Sequence, residues 1–360
     1  MTKMQQLHEA GQSVWLDFIR RDMLGNGELA GLVAEGVRGL TSNPTIFEKA
    51  IAGSDLYDAQ ITTTDGEAAA VFESLAVQDI QGAADLLRDV YNESDGGDGY
   101  VSLEVAPTLA YDTEGTIADA KRLWGIVDRP NLMIKVPATA AGIPAIEELI
   151  AAGINVNATL MFSLADYEAV AGAYVRGAER AIDPSRVASV ASFFVSRVDT
   201  KTDAALEKVG TDEALALRGT IAVANAKMTY RRYEEIFDGP AFAAASGRGA
   251  RPQRVLWAST STKNPDYPEL LYVDDLVGPN TVNTMPPATL AAFRDHGSID
   301  GAALVGGVDE AAAQVRDLAA LGVDFSEITA DLQTEGVGAF AASYDDLLEA
   351  ITSKRESLTS

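Results

Sequence analysis

The sequence predicts an α/β fold, a single (β/α)8 TIM barrel with helical insertions, and three observations point to it. Short apolar or alternating runs are followed by stretches of helical period from one end of the chain to the other, as in repeated βαβ units. Most of these runs carry one apolar and one polar face. An open parallel sheet covered on both sides reads apolar on both faces, whereas a barrel with a polar pocket inside reads as these strands do. The polar residues also gather toward the C-terminal ends of the runs, where barrels of this kind place their chemistry.

The elements follow in order. VWLDF (14–18) sets Val14, Leu16 and Phe18 against Asp17. The turn Gly25, Asn26, Gly27 opens a helix with Leu29, Leu32, Val33 and Gly36 on one face. GLTSN (39–43) is the second strand, with Asn43 as cap and Pro44 in the first turn of the next helix. The stretch 44–100 is a long helical insertion before VSLEVA (101–106), where Val101, Leu103 and Val105 oppose Ser102 and Glu104. In NLMIKVP (131–137), Leu132, Ile134 and Val136 oppose Lys135; in NVNATL (155–160), Val156, Ala158 and Leu160 oppose Asn155, Asn157 and Thr159. ASVASFFVS (188–196) places Ser192, Phe194 and Ser196 on one face. A second insertion, 198–253, carries Leu217, Ile221, Ala224 and Met228 at helical spacing and ends in AFAAASGRGARPQ, which reads as a mobile loop. RVLWAS (254–259) and TVNTMP (281–286) complete the eight strands. A last helix carries a stripe of Phe340, Tyr344, Leu347, Leu348 and Ile351. Both insertions are expected to decorate one domain spanning 1–360.

Composition removes several kinds of function. There is no cysteine, which excludes disulfides, thiol nucleophiles and thiolate metal sites and makes the cytoplasm the default location. The two histidines, His8 near a ragged terminus and His296 in FRDHGS, read as solvated and cannot build a His triad or a multi-His metal site. No cofactor and no metal are expected. No run is apolar enough to span a bilayer, and the start of the chain lacks the apolar centre of a secretory signal. The net charge of −25 repels nucleic acid and anionic membranes, so neither is an expected partner. It also repels phosphorylated substrates, which would need local cations inside a pocket.

Lys135 is the sharpest feature, set among Met133, Ile134 and Val136. Desolvation disfavours an ammonium, so a lysine held there is expected to keep part of its amine neutral and able to attack a ketone. The plainer alternative is a strand-end lysine whose head reaches water. Asp17 and Glu104 could serve as acid and base, or could be a structural ion pair with Arg20 or Arg21 and a satisfied strand-end carboxylate, respectively. Asn43, Asn157 and Thr159 offer neutral groups for sugar hydroxyls or a water. Ser192, Arg197 and Lys263 are the local hydroxyl and cations for a phosphate; solvated loop charge is the competing reading for the two cations.

Together TSNPTIF, SLEVAP with YDTEGT, MIKVPAT, GINVNATLMFS and ASFFVSR resemble the transaldolase family over nearly the whole chain, and WASTSTKNP and VNTMPPATL resemble its longer, bacterial-type branch. The resemblance implies transfer of a dihydroxyacetone unit from sedoheptulose 7-phosphate or fructose 6-phosphate to an aldose phosphate, in the pentose phosphate pathway, by a monomer or homodimer. It makes Lys135 the Schiff-base lysine, Asp17 the acid–base residue, and Glu104 with Thr159 the holders of a catalytic water. It gives Asn43 and Asn157 to hydroxyls, Ser192 and Arg197 to the phosphate, and Phe194 to the pocket wall. Lys263 stands near the place of an arginine in shorter relatives. Competing functions are a Schiff-base aldolase that releases free dihydroxyacetone or cleaves another sugar phosphate, and a non-catalytic sugar-phosphate binding or scaffold protein.

Overall fold

The computed structural model describes residues 1–359 and closes eight parallel strands, in chain order, into one barrel. They are β1 Gln12–Leu16, β2 Val37–Leu40, β3 Tyr100–Glu104, β4 Leu132–Pro137, β5 Val156–Met161, β6 Ser189–Phe194, β7 Arg254–Ala258 and β8 Thr281–Met285. β8 pairs back onto β1, so the sheet has no edge. All eight expected strands are present, but β1 and β2 begin two residues earlier than their sequence patterns suggested, which places Asp17 and Asn43 just beyond strand ends. Asp17 keeps one ladder bond, its N–H donating to Met285 O at 2.9 Å. Asn43 has left the sheet to cap the helix Pro44–Ala52, its side chain accepting from Ile46 N as the Asn–Pro pair led one to expect.

The outward strand residues meet the helices in one continuous core, and the inward ones divide the barrel into two levels. The lower level is a plug. Trp15 lies flat over Gly39, where an added Cβ would come within 2.5 Å of the indole. The Trp15 N–H donates to Asp98 Oδ1 at 2.8 Å, Ser13 also donates to Asp98, and Arg38 and Arg254 pair with it at 3.0 and 3.4 Å. The upper level opens as a pocket.

Several local readings change. Gly36 is not a face residue; it ends the helix Glu28–Glu35 in the left-handed region at φ 120°. Leu217 lies before the helix Ile221–Phe237, and Gly219 at φ 71° resets the phase, so Tyr230, Tyr233 and Phe237 carry the buried face and Met228 is only half-buried. His8 sits not on a ragged end but on the helix Lys3–Glu9, whose capping box joins Thr2 and Gln5 and which buries Met4 and Leu7; its imidazole is exposed. The stretch 240–253 is tied down rather than loose. Ala243–Ser246 is helical, and Arg248 donates to the carbonyls of Glu179, Ala181 and Ile182. It leads into the N-terminal end of β7, opposite the pocket.

The C-terminal helix Phe325–Thr359 crosses the barrel mouth. Gln333 Nε2 donates to Ala138 O and Leu160 O, at 3.0 and 3.2 Å, where β4 and β5 end. Gly336 lets the helix settle on Leu160, a residue at φ 61°; a Cβ at Gly336 would come within 2.9 Å of it. Lys201 pairs with Asp331 and Glu335, and farther along Lys354 pairs with Asp58. Of the expected stripe, Phe340, Leu347 and Ile351 are buried, while Tyr344 and Leu348 are partly covered. Among the described residues no helix is long and apolar enough to cross a membrane.

Candidate active site

Strand register assembles the centre of the site. Lys135 stands between Glu104 on β3 and Asn157 on β5, all on inward positions. Lys135 is 4% exposed. Its Nζ donates to Ser42 O at 3.2 Å, lies 3.7 Å from Glu104 Oε2, and sits 5.7 Å from the centroid of the Phe340 ring. At 3.7 Å the contact with Glu104 is an ion pair without a proper hydrogen bond. The head group therefore stays inside the barrel and does not reach for bulk water.

Asp17 opens onto the same pocket as Lys135 and accepts from Thr41 Oγ1 at 2.7 Å; Thr41 in turn lies 2.9 Å from Thr284 Oγ1. Neither neighbouring arginine pairs with it, since Arg20 binds Asp22 and Arg21 binds Asp79 at 2.8 Å. Glu104 is likewise not satisfied at its strand end: Oε2 is buried and accepts no hydrogen bond. Thr159 Oγ1 is also buried and unbonded. Two polar atoms enclosed without partners are costly unless a water or substrate meets them.

Burial raises the Glu104 carboxyl to about 7 against the pull of Lys135. It raises Asp17 too, opposed by Lys135, by the Thr41 hydrogen bond and by Arg197. Both acids thus hold protons more readily than a surface carboxylate.

The pocket, ≈ 330 Å³, is lined by eight of the ten expected site residues: Asp17, Asn43, Lys135, Thr159, Ser192, Phe194, Arg197 and Lys263. Glu104 and Asn157 are not among its walls. Glu104 reaches the centre through Lys135, and Asn157 lies beneath the floor with both amide atoms engaged, accepting from Ser192 Oγ at 2.6 Å and donating to Ser102 Oγ at 3.0 Å. Asn43 uses Oδ1 for its cap. Phe194 carries the Arg197 guanidinium 5.3 Å from its centroid. Arg197 stands in the first turn of the helix Ser196–Val209. Burial lowers the pKa of Arg197, and that of Lys263 is lowered by burial and by the charges of Arg197 and Lys49. Lys263 is exposed at the rim, where Nζ donates to Ser261 Oγ at 2.6 Å.

Sequence reasoning missed Thr41, Lys49 and Phe340, all of which line this pocket. Lys49 looked like an ordinary charged position on the helix Pro44–Ala52, and Phe340 like one member of a core stripe. Among the described residues no group of three or more His, Cys, Asp or Glu side chains is placed to hold a metal ion.

A lysine buried in a parallel barrel beside two acids that no arginine pairs, under a cluster of cations, suits iminium chemistry on an anionic sugar. The chain is 53% identical to a transaldolase of Thiobacillus denitrificans over 349 residues, covering 95% of this chain and 97% of that one. It is 51% identical to transaldolases of Frankia alni and Thermobifida fusca, each over 356 residues, covering 97% of this chain and 96% and 97% of theirs. The family model for transaldolase/fructose-6-phosphate aldolase matches residues 14–351, from within β1 to within the C-terminal helix, so this chain belongs to that family.

Proposed function

We propose that the chain is a transaldolase that carries its three-carbon donor unit on Lys135. One observation bears most of the weight: the Lys135 amine is enclosed at the barrel mouth, 3.7 Å from Glu104 and facing the pocket that holds Asp17. In the forward direction the amine adds to the ketone of fructose 6-phosphate or sedoheptulose 7-phosphate. Water leaves from the carbinolamine to give an iminium. Asp17 removes the proton of the hydroxyl at the breaking bond, the C–C electrons pass into the iminium, and an aldose phosphate departs. The enamine of dihydroxyacetone remains until an acceptor such as glyceraldehyde 3-phosphate or erythrose 4-phosphate arrives, and Asp17 then returns its proton.

Glu104, with its carboxyl near 7, is suited to both giving and taking protons at neutral pH. The unbonded Glu104 Oε2 and Thr159 Oγ1 support a water held between them as the relay. Asn43 offers its amide to a sugar hydroxyl, while Asn157, occupied by Ser102 and Ser192, acts from below by orienting Ser192. Arg197 and Lys263 bind the phosphate with Ser192 deeper in, and Lys49 adds a third cation. They answer the need set by the −25 surface for a local positive patch. The lack of cysteine and the sugar-phosphate substrates support a cytoplasmic setting.

The test is borohydride reduction in the presence of fructose 6-phosphate, followed by peptide mass spectrometry. A reduced three-carbon or sugar adduct should appear on the peptide containing Lys135, and Lys135→Ala should lose both adduct and turnover. An adduct on another lysine, or full activity in Lys135→Ala, defeats the assignment. The rival activity in the family description, aldol cleavage without transfer, predicts equal cleavage rates with and without erythrose 4-phosphate.

A further inference from the structure

We propose that Phe340 decides whether the three-carbon unit is passed to an acceptor or lost to water. The inference rests on Lys135 being the Schiff-base lysine. Among the described residues Phe340 is the one wall of the pocket supplied by the C-terminal helix; the other lining residues lie on the strands, the segments that follow them, or the helices Pro44–Ala52 and Ser196–Val209. It is 5% exposed, and its ring faces the Lys135 amine at 5.7 Å, within the range of a cation–π contact. Phe194, the other aromatic wall, is engaged by Arg197 instead.

The ring is fixed from both sides along its helix. One turn earlier Gly336 seats the backbone on Leu160, and before it Gln333 binds the carbonyls where β4 and β5 end. One turn later Ser343 bonds Thr45 at 2.8 Å, and Tyr344 packs edge-on against Phe72, which packs edge-on against Phe47. A side chain needed only for core packing does not require its ring to be aimed at the head group of a lysine.

At the branch point two fates compete. The enamine carbon can attack the aldehyde carbon of the acceptor, forming the new C–C bond while the alkoxide takes the proton from Asp17. Alternatively that carbon takes a proton to give the iminium of dihydroxyacetone. Water then adds to the iminium carbon, the C–N bond breaks, and free dihydroxyacetone leaves with the lysine amine restored. An aromatic face over the nitrogen stabilises the cation against hydration, and its bulk denies water an approach that an aldehyde bound through its phosphate does not need.

The experiment compares wild type, Phe340→Leu and Phe340→Ala with fructose 6-phosphate, with and without erythrose 4-phosphate. Initial rates of dihydroxyacetone release and of sedoheptulose 7-phosphate formation are measured, and borohydride trapping on Lys135 is run in parallel. The ratio of release to transfer should rise on the order of tenfold in Phe340→Ala and by less in Phe340→Leu, which keeps apolar bulk but no ring. A ratio unchanged in a variant that still forms the Lys135 adduct overturns the proposal while leaving the Schiff base intact. Loss of the adduct from both variants overturns it as well, since Phe340 would then serve formation of the intermediate. Absence of the adduct in wild type instead removes the reading on which this one stands. If Phe340→Ala does not fold, the ratio measured in Phe340→Leu decides between these outcomes.

Discussion

Glu104→Gln should make the protein more heat-resistant at high pH while disabling it. The carboxyl is raised from 4.5 to about 7, chiefly by burial, so the folded chain holds this proton more tightly than the unfolded one. The sign follows from linkage: a raised acid weakens stability as pH rises, with the full contribution kept below 4.5 and lost by the time pH passes 7. The two values correspond to a penalty of about 1 kcal/mol at pH 5 and about 3 kcal/mol at pH 8. Glutamine has the same shape and no charge to desolvate, so the penalty disappears from the variant. Groups remote from Glu104 titrate alike in both proteins and cancel from the difference, while in the variant Lys135 loses a counter-charge and Asp17 a like charge, effects of opposite sign on the charge balance. A chain of 360 residues unfolds with an entropy of about 0.8 kcal/mol/K, so the difference of ~2 kcal/mol between the two pH values is a change of roughly 3 °C. Thermal melts of both proteins at pH 5 and pH 8 supply the comparison. The Tm of Glu104→Gln relative to wild type should be higher at pH 8 than at pH 5 by that amount, and kcat should fall about 100-fold or more through loss of the relay. A Tm difference that stays constant with pH, or reverses, refutes the account of Glu104 as an acid kept partly neutral by burial.

Two further outcomes follow from the same geometry. Arg197→Ala and Lys49→Ala should each raise KM for phosphorylated substrates, roughly 10–100-fold for the guanidinium and less for the exposed Lys49, with little effect on unphosphorylated analogues. Equal losses on both substrate types would remove either residue from phosphate binding. Asp98→Ala should leave Arg38 and Arg254 unpaired in the barrel plug and cost about 3–5 kcal/mol, a fall of about 4–7 °C in Tm, while the folded fraction keeps its kcat. A melt unchanged by this substitution would mean the plug is stabilised by packing around Trp15 alone.

The fold was legible because β-strand alternation survives in the one-dimensional pattern. Lys135, Glu104 and Asn157 are marked as polar intrusions in apolar runs, and strand register then brings them side by side. The ends of β1 and β2 were not legible: Phe18 and Ile19 extend the apolar run beyond β1, and β2 passes into Thr41, Ser42 and Asn43 with no breaker before Pro44. Phe340 and Lys49 were invisible for a different reason. Phe340 meets Lys135 across two hundred residues of chain, and nothing in its own helix distinguishes a ring over an amine from a ring in a core. Lys49 owes its interest entirely to Arg197 and Lys263 arriving beside it from β6 and β7. The capping box of Thr2 and Gln5 was a readable signal that the N-terminus is ordered, and it is what separates the observed helix from the expected fray.

The helix that roofs the barrel is translated after all eight strands. Domains gain structure as they emerge from the ribosome, at roughly 5–20 residues per second. The nascent chain can therefore close its sheet and bury its plug before Gln333 and Phe340 exist. Enzymatic competence then dawns only once that helix has been made, and a copy cut short before it would be a shaped but roofless vessel.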